Sequence, residues 1–157
     1  MTEGLEAVRS SLPLQMCAYF NVVFLPAWAA VFLDFFAHQY WAPGALTRAL
    51  AAVTASTVFC IEGLRLYMLY AGNLGDKIPE LAAFWMLSVF LQLPLQGFLL
   101  FNPHFQLGVL PVLSQSVLLI LLLLEIGFGY VALRFTAAQQ ALKHARSRQD
   151  KKADAPQ

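Results

Sequence analysis

The sequence predicts an all-α polytopic membrane protein, a bundle of four transmembrane helices, on three observations. Of the 157 residues, 59% are hydrophobic and only 12% are charged, a balance typical of membrane chains and rare in soluble domains. The apolar residues gather into four stretches, each long enough to cross a hydrocarbon core of about 30 Å at about 1.5 Å per residue. The connections between them are short and carry turn-forming residues: Pro43 and Gly44, then Gly75 to Pro79, then Asn102 to Gly108. No length is left for a separate soluble domain, and the net charge of +1 carries no nucleic-acid signal.

Residues 1–12 read as a cytoplasmic N-terminal segment. They are not expected to be a signal peptide, because Glu3 and Glu6 precede an apolar run too long for an h-region. The first span is expected over 13–37, with a kink at Pro26 that neighbouring helices or waters accommodate. At its far end Asp34 and His38 stand one turn apart beside Tyr40 and Trp41, the residue types that mark a membrane–water boundary. The second span is expected over 46–71. Its early part, with Ala49, Ala51, Ala52, Thr54, Ala55, Ser56 and Thr57, is small and mildly polar and is expected to face other helices. Gly72, Asn73 and Gly75 are expected to end it, and Pro79 suits the start of the third span, 79–101. That span contains Pro94. Gln92 and Gln96 lie one turn apart on one of its faces and need hydrogen-bond partners. The fourth span is expected over 107–133, where the aliphatic run from Leu118 to Leu124 offsets the insertion cost of Glu125 at roughly 0.3 to 0.6 kcal/mol per residue. Cys17 and Cys60 fall inside spans and read as small core residues rather than a disulfide.

Four spans bring both termini to one side, and the cations say which. Six of the ten Lys and Arg residues, Arg134, Lys143, Arg146, Arg148, Lys151 and Lys152, follow the last span in a basic tail, 134–157. With both termini cytoplasmic, the inner segments hold these six plus Arg9 and Lys77, and the outer loops hold only Arg48, which satisfies the positive-inside rule. The helical pattern can continue past Leu133. Its basic residues suit either an anionic inner leaflet or a solvated tail.

The stretch EGLRLYMLYAGN, Glu62 to Asn73, poses the functional question. A charge near the centre of a membrane helix costs about 2.5 to 3.5 kcal/mol on insertion scales. Glu62 and Arg65 share one helix face and can neutralise each other, or pair with Gln92, Gln96 or Glu125. One reading is architectural, with these side chains fastening helices together at about 0.6 to 2 kcal/mol per interhelical hydrogen bond. The other is a channel or transporter that uses Glu62 and Glu125 along a polar chain with Asn21, Gln92, Gln96 and Gln115. Architecture is favoured, because the chain has no internal repeat and no matched pair of Gly-interrupted helices. Enzyme chemistry has no support: HExxH, paired CxxC, GxSxG and Gly-rich phosphate loops are absent, and His38, His104 and His144 lack ligand spacing. No cofactor or metal is expected.

Two blocks carry a family resemblance. SSLPLQMCAYFN at Ser10 to Asn21 and IEGLRLYMLYAGNLGDKIPELAAFWMLSVFLQLPLQGFLLFN at Ile61 to Asn102 resemble the transmembrane protein 17 family. The shorter elements SSLPLQM, IE-x-x-RLY and GNL are similar to a wider group that includes transmembrane proteins 80 and 216, whereas PELAAFW and LQLPL single out the 17 branch. The blocks cover about a third of the chain, and family members are expected to have longer polar tails. The resemblance implies a four-span structural subunit of the tectonic-like complex at the ciliary transition zone. Its implied partners are tectonics, meckelin, related transition-zone proteins and membrane lipids, not nucleic acid. The implied roles are a membrane diffusion barrier, ciliogenesis and Hedgehog-type signalling, with no catalytic residues.

Overall fold

The computed structural model describes residues 11–39, 44–105 and 107–153. Among them the chain is helical without strands, and four helical stretches are long and apolar enough to cross a membrane, the architecture expected from composition. Helix α1 spans Leu12–Gln39 and continues through Pro26. Helix α2 spans Ala45–Leu74. The third span is composite: α3 (Ile78–Met86), a π-helical turn (Leu87–Gln92) and α4 (Leu93–Phe101). A short 3-10 turn at Pro103–Phe105 leads to α5, Val109–Ala153.

The π-helical turn has a local cause. Pro94 lacks an N–H, and its ring crowds the carbonyl four residues back. Widening the preceding turn relieves that crowding, and the Leu93 N–H bonds the Ser88 carbonyl five residues earlier. The wider turn leaves Ser88 and Gln92 both buried, with Gln96 buried one turn on in α4.

The helices form a ring in which α1 and the third span each pack against both α2 and α5. This sets α2 and α5 on the diagonal. The interior is layered. Leu14, Ala18, Leu69, Leu81, Phe84 and Ala132 form an apolar layer near the α2–α3 turn. Trp28, Phe32, Ala55, Val58, Leu99, Phe105 and Leu118 form another at the opposite end. Between them lies a layer of buried polar side chains.

The α2–α3 turn is built for close approach. A Cβ on Gly72 would stand 2.6 Å from the Leu81 backbone nitrogen, so only glycine lets the two backbones meet there. Helix α2 runs to Leu74 and is capped by Gly75, one of the three residues expected to end it, with Gly72 and Asn73 inside its last turn. Asp76 makes the turn at φ 49°. The Asn73 side chain accepts from the Ser11 N–H at 3.0 Å and donates back to the Ser11 carbonyl at 3.3 Å, pinning the start of α1 to the end of α2.

Two expectations are corrected. Of the small residues early in α2, Ala55 is buried and Thr54 and Thr57 are half-buried, but Ala49, Ala52 and Ser56 lie on the outside of the bundle, and the Ala51 side chain lies outside the described residues. Small side chains permit close packing without dictating which face is packed. The Ser56 and Thr57 hydroxyls instead donate to carbonyls one turn back, Ala52 and Val53, at 2.9 and 2.7 Å. Cys60 also faces outward and Cys17 is half-buried, both as free thiols. Beyond Leu133, α5 continues to Ala153, about 30 Å of further helix. The Gln140 side-chain amide donates to the Asp76 carbonyl at 2.7 Å and ties this extension to the α2–α3 turn.

Gly72→Ala is expected to force α2 and α3 apart at a cost of about 1–3 kcal/mol. Gly63→Ala, where a Cβ meets nothing within 4 Å, should be neutral or stabilising by up to about 1 kcal/mol. Thermal unfolding midpoints of the two variants in one detergent check the contrast.

Candidate functional site

The polar layer centres on Arg65, which has no solvent exposure. Its Nη2 donates to Glu62 Oε1 at 2.5 Å and its Nε to Glu62 Oε2 at 3.3 Å, a two-point grip within one helix. Its Nη1 crosses the diagonal to Glu125 Oε2 on α5 and lies 3.4 Å from Ser88 Oγ of the π-helical turn. The planar fork of arginine suits this task, since it presents donors in several directions at once, whereas a lysine ammonium is a single point charge. Phe84 closes one side, with the guanidinium carbon 5.6 Å from its ring centroid, near enough for a cation–π contact.

Asn21 brings in α1. Its Nδ2 donates to Glu62 Oε1 and to Glu125 Oε1, each at 3.0 Å. Gln92 brings in the third span by donating from Nε2 to Glu62 Oε2 at 2.7 Å. Every span thus contributes to one cluster, and Asn21, Glu62, Arg65, Ser88, Gln92 and Glu125 are all fully or almost fully buried. Of the partners the sequence leaves open for Glu62 and Arg65, the structure selects each other, Gln92 and Glu125. Gln96 joins a second chain instead, in which Gln115 Nε2 donates to Gln96 Oε1 and Trp28 Nε1 donates to Gln115 Oε1 at 2.8 Å. Asn21 Oδ1, Gln92 Oε1 and Gln96 Nε2 have no hydrogen-bond partner among the described residues.

The remaining sequence candidates lie elsewhere. Arg134, Lys143, Arg146 and Arg148 are exposed along the extension of α5, with Arg134 5.8 Å over the Tyr130 ring. Lys151 and Lys152 continue the helix, but their side chains lie outside the described residues, as do Tyr40, Trp41 and the side chain of His104. Asp34 and His38 are exposed, and His38 Nδ1 is 2.8 Å from the Asp34 carbonyl oxygen. Sequence reasoning missed Ser88 and Trp28 as members of the polar chains, and Asn73 as a fastener. A serine four residues before Gln92 was the available signal for the first. Neither tryptophan nor asparagine announces a partner that is distant in sequence.

The chemistry of this layer is that of a fastening. Buried charges cost several kcal/mol each to desolvate, and that cost is offset only by good geometry and satisfied hydrogen bonds. Four donor contacts reach Glu62 from three residues, Arg65, Asn21 and Gln92. Among the described residues no group of three or more His, Cys, Asp or Glu side chains is arranged to hold a metal ion.

Comparison with known proteins gives one consistent result. A family model described as a predicted membrane protein, Transmemb_17, matches residues 16–124. Transmembrane protein 17B of Danio rerio is 41% identical over 130 residues, 81% of this chain and 66% of that protein. Transmembrane protein 17 of Gallus gallus is 35% identical over 127 residues, 81% of this chain and 61% of the relative. Transmembrane protein 17 of Homo sapiens is 34% identical over 134 residues, 85% and 68% of the two chains. The match therefore spans about two thirds of the length of these relatives. No solved structure matches the chain.

Arg65→Leu should leave two carboxyl groups buried without their cation and destabilise the bundle by about 3–5 kcal/mol. The triple variant Arg65→Leu, Glu62→Gln, Glu125→Gln, which removes all the charge, should recover part of that loss. Unfolding of the variants in a mixed-micelle titration provides the measurement.

Proposed function

The chain belongs to the transmembrane protein 17 family, and from that premise we propose that it is a non-catalytic structural subunit of the tectonic-like membrane complex at the ciliary transition zone. In this reading both termini are cytoplasmic. The protein supports the membrane diffusion barrier, ciliogenesis and Hedgehog-type signalling alongside tectonics, meckelin and other transition-zone membrane proteins. The ciliary setting and the partners rest on the family resemblance.

The structural role rests on one observation: side chains from all four spans close on each other around Arg65, between two apolar layers. Such a centre fixes helix positions and leaves the outer faces of the bundle for lipid and partner helices. Membrane association of helices depends on packing and hydrogen bonding rather than on a hydrophobic driving force. A bundle locked internally can present a constant outer surface to its neighbours.

A second reading, a small channel or transporter that uses Glu62 and Glu125, is favoured by the presence of a second buried polar chain, Gln96, Gln115 and Trp28, besides the Arg65 cluster. It requires these groups to exchange partners with a permeating species.

Two experiments separate the readings. Affinity purification of the tagged protein from ciliated cells should recover tectonic-type partners, and Arg65→Leu should recover fewer of them and localise poorly to the ciliary base. Normal recovery and localisation of that variant would contradict the structural reading. Liposomes holding the purified protein should show no proton or cation flux that depends on Glu125, and a flux abolished by Glu125→Gln would favour transport.

A further inference from the structure

The charges and hydrogen bonds of the Arg65 cluster do not balance with two ionised carboxylates. Glu62 and Glu125 face a single guanidinium, and Arg65 is the only buried Lys or Arg among the described residues. With both acids ionised, the low-dielectric centre of the bundle would hold one uncompensated negative charge. Of the titratable or charged groups around Glu125, Arg65 of α2 contacts it directly, Glu62 of α2 shares the Asn21 amide with it, and Cys17 lies one turn before Asn21 on α1. The third span contributes only the neutral Ser88 and Gln92, and its own ionisable group, Glu80, is at the turn beside Lys77.

The two acids are not equivalent. Glu62 receives four donor contacts, two at each oxygen, the environment of an ionised carboxylate. Glu125 receives two, from Arg65 at Oε2 and from Asn21 at Oε1. Beside it, Asn21 spends its amide N–H groups on both acids while its own Oδ1, fully buried, has no partner among the described residues. An unpartnered buried acceptor next to an under-donated carboxyl is the pattern left when a proton is missing from the count.

We propose that the cluster binds one proton at Glu125, whose hydroxyl donates to Asn21 Oδ1, while Glu62 stays ionised against Arg65. The proposal requires a turn of the Asn21 amide, whose Nδ2 now faces both acids, that keeps Nδ2 on Glu62 and presents Oδ1 to the Glu125 hydroxyl. Glu125 Oε2 still accepts from Arg65 Nη1. The cluster then becomes neutral and the orphaned Asn21 acceptor is satisfied. This inference concerns the protonation of the centre and stands whether or not the ciliary reading holds.

The proposal makes glutamine acceptable at one acid and not at the other. At position 125 the amide of glutamine reproduces a neutral acid, with Nε2 donating to Asn21 Oδ1 and Oε1 accepting from Arg65. At position 62 it would turn an NH2 toward donors of Arg65, Asn21 or Gln92. Infrared spectra of the purified full chain in lipid nanodiscs at neutral pH, recorded in H2O and D2O, should show the deuterium-sensitive carbonyl band of a protonated carboxyl, and Glu125→Gln should lose it. The thermal midpoint should fall by less than about 2 °C in Glu125→Gln and by more than about 5 °C in Glu62→Gln. Absence of the band from the wild-type spectrum would overturn the proposal, as would a stability that rises with sodium or potassium concentration, which would make a monovalent cation the neutralising ligand. Tolerance of Glu62→Gln with failure of Glu125→Gln to fold would also overturn it.

Discussion

A guanidinium in an apolar bundle cannot be left alone, and the rest of this structure follows from how Arg65 is accommodated. The cost of burying it is offset only where several acceptors converge with good geometry. They converge here from α2 itself, from α5 across the diagonal and from Ser88 in the third span, while Asn21 on α1 orients the two acids. In a ring where α2 and α5 pack mainly against the helices between them, this cluster gives the diagonal pair a direct connection. A cluster that needs four helices in register also specifies that register, because sliding one helix by a turn would strand a buried polar group. Stranding such groups is expensive in hydrocarbon, where water does not compete for them.

The apolar layers do a different job. Trp28 stacks on Phe32 at one end with ring centroids 5.2 Å apart, and Leu14, Leu69, Leu81 and Phe84 fill the other end. They supply packing and shield the centre from water, which strengthens every electrostatic contact inside it. Near the α2–α3 turn the backbones approach at Gly72, and Asn73 fastens the first helix to the second. These contacts place elements of the GNL and SSLPLQM stretches against each other. Two motifs separated by about a third of the chain therefore mark one joint.

The sequence makes the four spans plain because long apolar runs have few alternatives to crossing a membrane, and the family of the chain follows from its own motifs. The pairing of Glu62 with Arg65 is legible for a local reason: three residues on a helix is contact distance. What lies beyond one helix is not. Gln92 and Gln96 share a face, yet Gln92 reaches Glu62 while Gln96, one turn farther along the span, meets Gln115. The outward placement of Ala49, Ala52 and Ser56 was equally hidden, because small residues suit a helix inside the bundle, one outside it, or lipid. Asn21 carries no local sign that it bridges two acids, since its partners lie 41 and 104 residues away.

The claim that the bundle is held across its diagonal is tested most directly by a double-mutant cycle between Arg65→Met and Glu125→Leu, read as unfolding free energy in a single bilayer mimetic. The two side chains belong to helices that are not ring neighbours, so any coupling must come from the buried cluster, through their contact or through Glu62 and Asn21, rather than from packing between adjacent helices. A coupling above about 1 kcal/mol is expected, with the double variant losing less than the sum of the singles. Additivity within about 0.5 kcal/mol would mean that Arg65 and Glu125 act independently, and that the diagonal contact does not hold the helices together.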